Sequence, residues 1–574
     1  MPVTNADIAD ALQRVADLLE IQGENVFRVR AYRTAARTVG ELPESVTAML
    51  ARGEDLCALP GIGKDLEGKI RELVETGRLP VLDDLARRLP GDLAEMMRLP
   101  GLGPKRVGLL HKKLRIKTLA DLKAAAAAGK IQALRGFGEK TEQRILQSLG
   151  AKIAGGEKRT RLVVAEQIAA PLIDYLKRAR GVRECVAAGS YRRRRETVGD
   201  LDILVTCADG KDVVEHFVGY EDVREVLAKG PGRSTVLLRG GMQVDLKIVP
   251  QPCYGAALMY FTGSKAHNIA VRKIAVGKKL KLNEYGLFRG TRRIAGESES
   301  EIYRALGLTY IDPELREDRG EIEAARKRRL PKLVREADIR GDLHAHTDAT
   351  DGKNTLAEMV GAARARGYEY VAITDHTRRL AMVHGLDPKR LARQIDAIDK
   401  LNAKLRGFTI LKASEVDILE DGSLDLPDDI LKELDLTVCS IHSHFGLSEQ
   451  KQTERVMRAM DNRCFNIFGH PTGRLMGERE PCALNLEKLM EAARDRHCFF
   501  ELNAQPDRLD LDDIHCRMAK EMGVRVAIST DAHRDTDFAK MGCGVSQARR
   551  GWLEPADVLN THGARELKKL LRRG

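Results

Sequence analysis

The sequence predicts a multidomain chain of mixed α+β and α/β class: a helical first third, a mixed-sheet middle, and a final third folded as a closed or distorted seven-stranded β/α barrel. Three observations predict it. A short glycine turn recurs along the first 140 residues, two apolar strand-like runs in the middle carry aspartates, and seven apolar runs alternate with helical stretches after residue 339. The length of 574 residues predicts about three to five domains. Hydrophobic residues make up 43% and charged residues 31%, which excludes a disordered chain. No apolar run approaches the ~18 residues of a membrane span, and the N-terminus lacks a basic region followed by an apolar stretch. The expectation is a soluble, unexported, cytoplasmic protein. The ten cysteines contain no CxxC pair, so they read as reduced thiols rather than a disulfide framework.

Charge divides the chain. Residues 1–340 hold 61 Lys and Arg against 46 Asp and Glu, or +15, and the remainder supplies −3 of the net +12. Histidine runs the other way, with 11 of the 14 after residue 340. A basic front fits a polyanion such as nucleic acid, and a histidine-dense rear fits metal ligation.

The helical third repeats Leu59-Pro-Gly61-Ile-Gly63-Lys, Leu99-Pro-Gly101-Leu-Gly103-Pro and Leu134-Arg-Gly136-Phe-Gly138-Glu. Two glycines around one apolar residue allow a tight turn whose N–H groups, with the next helix N-terminus, face a phosphate. This helix-hairpin-helix pattern predicts contact with DNA backbone, without sequence readout.

In the middle, an apolar run leads to Gly189-Ser190, four arginines (Arg192–Arg195), and Gly-Asp200-Leu-Asp202, which opens a second run. Alternation places Asp200 and Asp202 on one face of a strand, and the run 242–249 carries Asp245. Three carboxylates on adjacent strands suit two divalent ions for in-line phosphoryl or nucleotidyl transfer. Gly189 and Ser190 offer backbone donors at a helix start, and Arg193 a planar cation, for a triphosphate.

These residues, with Tyr260-Phe261-Thr-Gly263-Ser-Lys-Ala-His-Asn268 and Leu282-Asn-Glu-Tyr-Gly-Leu-Phe288, resemble the palm and thumb of family X DNA polymerases, the repair polymerases related to DNA polymerase beta. The likeness spans residues 1–315. It implies a nucleotidyltransferase palm and an α/β thumb, Asp200 and Asp202 on both of two Mg²⁺ or Mn²⁺ ions, and Asp245 on the ion beside the primer 3′-hydroxyl. Ser190 and Arg193 hold the triphosphate, Tyr260, Phe261 and Gly263 belong to the nucleotide pocket, and Asn268 and Arg272 meet the nascent pair. Gln243 stands where animal relatives have arginine, which implies softer support of Asp245. Lys69 matches the lysine with which relatives remove 5′-deoxyribose phosphate. Its companions here are Asp65 and Arg28, so a phosphate contact is the expected role.

After residue 339, polar residues sit just past the strand-like runs: His344 and His346, then His376, Glu415, His442, His470, and finally Asp531 with His533, while Asp351 comes from the first loop. A β/α barrel gathers its active site at such strand ends. His344-Ala-His346, Thr-Asp-His376, Gly-His470-Pro and Thr-Asp531-Ala-His533 resemble the PHP domain, a phosphoesterase superfamily that includes histidinol phosphatases. That resemblance implies up to three divalent metals (Mn²⁺, Zn²⁺ or Fe²⁺). One lies on His344, His346, Glu415 and Asp531, one on Glu415, His442 and His470, and one on Asp351, His376 and His533. Arg474 is a candidate phosphate clamp, and His384 and His444, extra to the pattern, are expected behind the ligands or at the surface.

Together the two resemblances imply a bacterial family X DNA polymerase with a C-terminal PHP domain: a monomer acting on gapped or nicked duplex DNA with dNTPs in base-excision and break repair, nucleoid-associated, with a 3′–5′ exonuclease. Alternatives are a PHP domain that is structural, or acts as 3′-phosphatase or AP endonuclease, and a DNA-end scaffold with vestigial sites. The expected domains are 1–80 and 81–155 (helix-hairpin-helix), 156–252 (palm), 253–316 (thumb), a linker at 317–336, and 337–574 (PHP).

Overall fold

A computed structural model describes the chain except residues 1, 2, 4, 41, 43–45, 89–92, 94–95, 97–101, 103, 135–136, 139–141, 143–144, 146–158, 208–209 and 573–574. It forms two compact units, Met1–Lys158 and Arg159–Gly574.

The first unit is helical, with helices Asn5–Gln22, Val26–Gly40, Lys64–Thr76 and Pro104–Leu114 around one apolar core. In the first glycine turn Ile62 is buried, and Gly61 has φ +79 where a Cβ would strike the Thr34 side chain. Gly63 caps helix Lys64–Thr76 and has open space around it, so its backbone can approach a ligand. Leu102 and Phe137, the apolar residues of the other two turns, are buried, and Gly138 is likewise open. Gly101, Gly103 and Gly136 lie outside the described residues.

In the second unit, helix Leu162–Lys177 leads into a five-stranded mixed sheet: β1 (Val182–Ala187), β2 (Asp200–Cys207), β3 (Val223–Ala228), β4 (Arg233–Leu238) and β5 (Gln243–Val249), in the order β1-β2-β5-β4-β3. β2 and β5 run parallel, with Asp202 opposite Asp245, and the other pairs are antiparallel. Helices Tyr254–Thr262 and Lys265–Gly277 follow, then a small antiparallel sheet of β6 (Lys281–Asn283), β7 (Gly286–Arg289) and β8 (Arg292–Ala295).

The stretch expected as a linker is instead packed. Helix Glu321–Arg326 buries Ile322 and Ala325 in the thumb core. Glu321 is fully buried, accepting hydrogen bonds from Asp318 N and Arg319 N and pairing with His267 Nδ1 at 2.6 Å. Its charge density is satisfied internally rather than by water.

The barrel has seven parallel strands in chain order: β9 (Gly341–Asp342), β10 (Tyr370–Ile373), β11 (Thr409–Asp417), β12 (Leu436–Ser440), β13 (Ile467–Phe468), β14 (Phe499–Asn503) and β15 (Val526–Ser529). Their near-continuous Val, Ile, Leu and Phe content follows from helices covering the outside. The barrel is nearly closed. Ala345 bridges to Ala532, and the Asn560 amide spans the seam by donating to Gly341 O and Ile528 O at 2.8 Å each. Among the described residues no helix is long and apolar enough to cross a membrane.

Candidate active sites

The palm site stands at one end of β2 and β5. Gly189 opens the short helix Gly189–Arg192 with φ +60, and a Cβ on it would run into Asp202 Oδ2. That close approach is why the motif needs glycine. Asp202 is pushed up to about 7 by burial and then by the charges of Asp200 and Asp245. Asp200 is raised as well, by burial and by Asp245, and carboxylates crowded in this way form a donor set suited to a divalent cation, which favours the ionised state. Asp245 behaves differently. Burial alone would raise it, yet hydrogen bonds from Thr235 Oγ1 (2.6 Å), Gln243 Nε2 (2.8 Å) and Arg233 Nη2 (3.0 Å) hold it below the usual carboxylate range. The softer support expected from Gln243 is thus offset by Arg233, on the neighbouring strand β4. Sequence reading missed it because only strand pairing brings position 233 beside 245.

Ser190 lies in the short helix, half-buried. Arg193 is largely buried, with Nη1 donating to Thr262 O at 2.5 Å and Nε to Glu317 at 3.1 Å, and it packs against Gly263, whose φ is +71. Tyr260 and Phe261 are half-buried and meet edge-on at 5.0 Å. Arg272 lies over the Tyr260 ring, and Asn268 Nδ2 donates to Tyr260 O at 2.7 Å. In the first unit Lys69 pairs with Asp65 at 2.5 Å and lies 5.7 Å from the Tyr32 ring centroid. Burial would lower its proton affinity, but Asp65 and Tyr32 raise it, so it is held as a cation.

The barrel site collects all nine expected side chains. His346, Asp351, His376 and His533 form one set of convergent donors, His344, His346 and Asp531 a second, and His376, Glu415 and His442 a third. His470 Nε2 lies 2.9 Å from Glu415 Oε1. His346 and His376 therefore each belong to two sets, which the assignment by resemblance did not include. His344 Nδ1 bonds Glu501 at 2.8 Å, and with its proton there the Nε2 lone pair faces Glu415 at 3.4 Å and Asp531 at 3.6 Å, buried and without a hydrogen bond. Lone pairs converging in this way fit a cation. Burial, followed by the His533 and His376 imidazoles, drives His346 down to about 3, which keeps it neutral and able to ligate.

Around these donors stand carboxylates that sequence reading missed. Glu501 also accepts from His470 N at 2.6 Å, Asp417 pairs with His442 Nδ1, and Asp375 accepts from Thr347 and Thr350. The available signal was a carboxylate inside an otherwise apolar barrel strand, as in Phe-Phe-Glu501-Leu.

Arg474 is not a phosphate clamp at the mouth. Its guanidinium donates to Glu196 of the palm at 2.7 Å and to the carbonyls of Arg508 and Leu509. Position in the sequence put it near His470, but the loop turns it toward the palm. His384 and His444 are exposed.

A mixed sheet carrying three acidic residues, joined to a histidine-rich parallel barrel, defines a nucleotidyltransferase fused to a metal-dependent phosphoesterase. Family models match accordingly: helix-hairpin-helix domain at 3–79, SAM-like helix-hairpin-helix tandem at 93–151, DNA polymerase beta palm at 164–230, DNA polymerase beta thumb at 257–317 and PHP domain at 342–505. The chain is 37% identical to the DNA polymerase/3′-5′ exonuclease PolX of Bacillus subtilis (strain 168), over 99% of both chains. It is 24% identical to DNA polymerase lambda of Rattus norvegicus, over 54% of this chain and 56% of that one. It is 29% identical to a probable phosphatase of Thermoanaerobacter sp. (strain X514), over 38% of this chain and 89% of that one. The chain belongs to the family of PolX-type DNA polymerase/3′-5′ exonucleases, family X polymerases that carry a PHP domain.

Proposed function

We propose that this chain fills short gaps in duplex DNA from dNTPs during repair and trims 3′ ends at its barrel site. The observation that carries the reading is that convergent barrel donors and three aspartates on paired palm strands lie within one folded unit of a chain that matches its PolX relative over 99% of both chains. Asp200, Asp202 and Asp245 hold two Mg²⁺ or Mn²⁺ ions, and the nine barrel ligands hold up to three of Mn²⁺, Zn²⁺ or Fe²⁺. Such ions, when bound, activate an attacking oxygen and neutralise charge developing on phosphorus.

The remaining roles fall to side chains. Asp245, oriented by Arg233, Thr235 and Gln243, assists removal of the proton from the primer 3′-hydroxyl. Gly189, Ser190, Arg193 and Gly263 hold the triphosphate. Tyr260 and Phe261 wall the sugar pocket, and Asn268 and Arg272 face the nascent pair. The glycine turns at Gly61, Gly63, Gly101, Gly103, Gly136 and Gly138, with cationic Lys69, hold DNA phosphates. Support comes from the open backbone at Gly63 and Gly138 and from the charge on Lys69. In the barrel, Glu501 and Asp417 fix the imidazole orientations of His344 and His442. The proposed division of the chain keeps the limits read from the sequence, with 317–336 as a packed connection in place of a linker, and a monomer working at the nucleoid in the cytoplasm completes the reading.

The test follows a 5′-labelled primer in a one-nucleotide-gapped duplex with Mn²⁺, with and without dNTPs. Extension should vanish in Asp200→Ala, and 3′ shortening should vanish in His344→Ala while extension persists. The likeness of the barrel to a probable phosphatase favours a second reading, 3′-phosphatase activity. Extension without any shortening, together with release of phosphate from a 3′-phosphate primer, would select it.

A further inference from the structure

The loop that follows the Gly-Ser helix of the palm is gripped by the barrel. Helix Met541–Arg550 starts beyond the ligands Asp531 and His533 and ends against the palm, and one face of it carries Ser546, Gln547 and Arg550. Ser546 Oγ accepts from Arg194 Nε at 3.1 Å, and Gln547 Nε2 donates to Glu196 at 3.3 Å, where Arg474 also donates. Arg550 is the centre of the grip. It is 4% exposed, its Nη1 donates to the backbone carbonyl of Arg193 at 2.8 Å and to Glu317 at 3.1 Å, and its Nη2 donates to Asp513 at 2.6 Å. Glu317 is the same carboxylate that Arg193 Nε engages, and Arg319 joins at Asp513 from the connecting segment. Arg549 adds a bond to Glu314 at 2.7 Å.

Two of these contacts, at the Arg193 carbonyl and at Arg194, land on or one residue from the segment read as the triphosphate cradle, and a third reaches Arg193 through the shared Glu317. Arg193 is the residue whose guanidinium reaches Thr262 O and Gly263, so its backbone position sets both halves of the cradle. A planar fork is required at 550, because three acceptors in three directions share two terminal nitrogens, and a lysine ammonium on its single stem does not span them in the same way. Without a cation there, Glu317 and Asp513 are two buried carboxylates competing for Arg193, Arg195 and Arg319.

We propose that Arg550, a residue of the barrel, is a positioning residue for nucleotide addition in the palm: it fixes the Arg193 backbone and shares Glu317, presenting the triphosphate-binding loop in its working geometry. The proposal rests on the gap-filling reading. It makes the barrel part of the polymerase's nucleotide pocket, so the two activities are joined by one helix rather than tethered by a flexible connection.

The experiment uses the full chain with Arg550→Lys and Arg550→Ala, measuring KM for the incoming dNTP and kcat on the one-nucleotide gap, 3′ shortening, and hydrogen exchange of the amides at 189–196. The expected result is a dNTP KM raised on the order of tenfold in Arg550→Lys and further in Arg550→Ala, with kcat and shortening within about threefold of wild type. Exchange at 189–196 should quicken in both variants. An unchanged KM in a folded Arg550→Lys protein, or a fall in kcat alone, would overturn the proposal. If Arg550→Ala does not fold, Arg550→Lys decides. If the wild type adds no nucleotide, the gap-filling reading fails and positioning for nucleotide addition falls with it, while exchange at 189–196 still reports whether Arg550 holds the loop.

Discussion

Replacing Gly189 by alanine tests the palm geometry with one methyl group. The residue sits at φ +60, where an L side chain costs about 1–2 kcal/mol. The new Cβ would lie 3.5 Å from the Asp202 Cβ, an ordinary contact, but a tight 3.3 Å from its carboxyl carbon and well inside contact with Oδ2. The carboxylate must therefore retreat by about 1 Å to regain van der Waals distance. A shift of that size in a metal-holding group costs on the order of 100-fold in rate, or about 2.7 kcal/mol of transition-state stabilisation. Gly189→Ala should thus lower kcat for gap filling about 100-fold, measured by single-turnover extension. Tm should fall by only a few degrees, because about 1–2 kcal/mol is spread over a large folding unit. Shortening of 3′ ends, whose donors lie in the barrel, serves as the control and should be unchanged. A variant that extends primers within about threefold of the wild-type rate would refute the reasoning, since it would mean that the close approach of Gly189 to Asp202 does not constrain the site.

Three further outcomes follow from the same structure. Glu501→Gln removes the charge that orients His344, and metal affinity of the barrel site should drop about 10- to 100-fold in a metal titration, with gap filling retained; equal affinity would remove Glu501 from the site's support. Glu299 sits between Arg192 and Arg316, and although burial alone would raise its proton affinity, those arginines hold it at about 2 against the ordinary 4.5. A depressed carboxylate stabilises the fold above about pH 4.5 and loses that contribution as pH falls toward 2, so Glu299→Gln should cost up to about 3 kcal/mol near pH 7, with the difference from wild type closing in acid. Thermal melts across that range would read it, and a gap that stays constant with pH would contradict it. Arg474→Ala should leave 3′ shortening intact and lower Tm by a few degrees through loss of about 1–3 kcal/mol of charge-assisted bonding to Glu196; a selective loss of shortening would restore Arg474 to the phosphate-binding role.

The sequence alone determined the features that repeat or alternate. The glycine turns, the Asp-x-Asp on a strand and the seven barrel strands are local patterns, and local patterns express backbone preference and side-chain period directly. The runs 370–374, 409–413 and 436–440 correspond to β10, β11 and β12 because apolar β-branched content is itself the requirement for a covered parallel strand. Eight histidines and acids at strand ends, with Asp351 in the first loop, were legible for the same reason: a barrel places every strand end at one mouth, so position in the repeat stands in for position in space.

What only the tertiary structure decided were the partners. Arg233 beside Asp245 depends on the antiparallel register of β4 and β5, Glu501 behind His344 depends on barrel closure, and Arg550 under Arg193 joins residues 357 apart. A charged side chain carries no local signature of whom it will meet, so Arg474 read as a clamp for phosphate and proved to be a clasp between domains. The stretch at 317–336 misled in the same way, since its charges all look solvated along the chain, whereas Glu317, Arg319 and Glu321 are paired in the fold. Backbone pattern is a property of neighbours in sequence, whereas electrostatic pairing is a property of neighbours in space, and long-range packing alone sets the second.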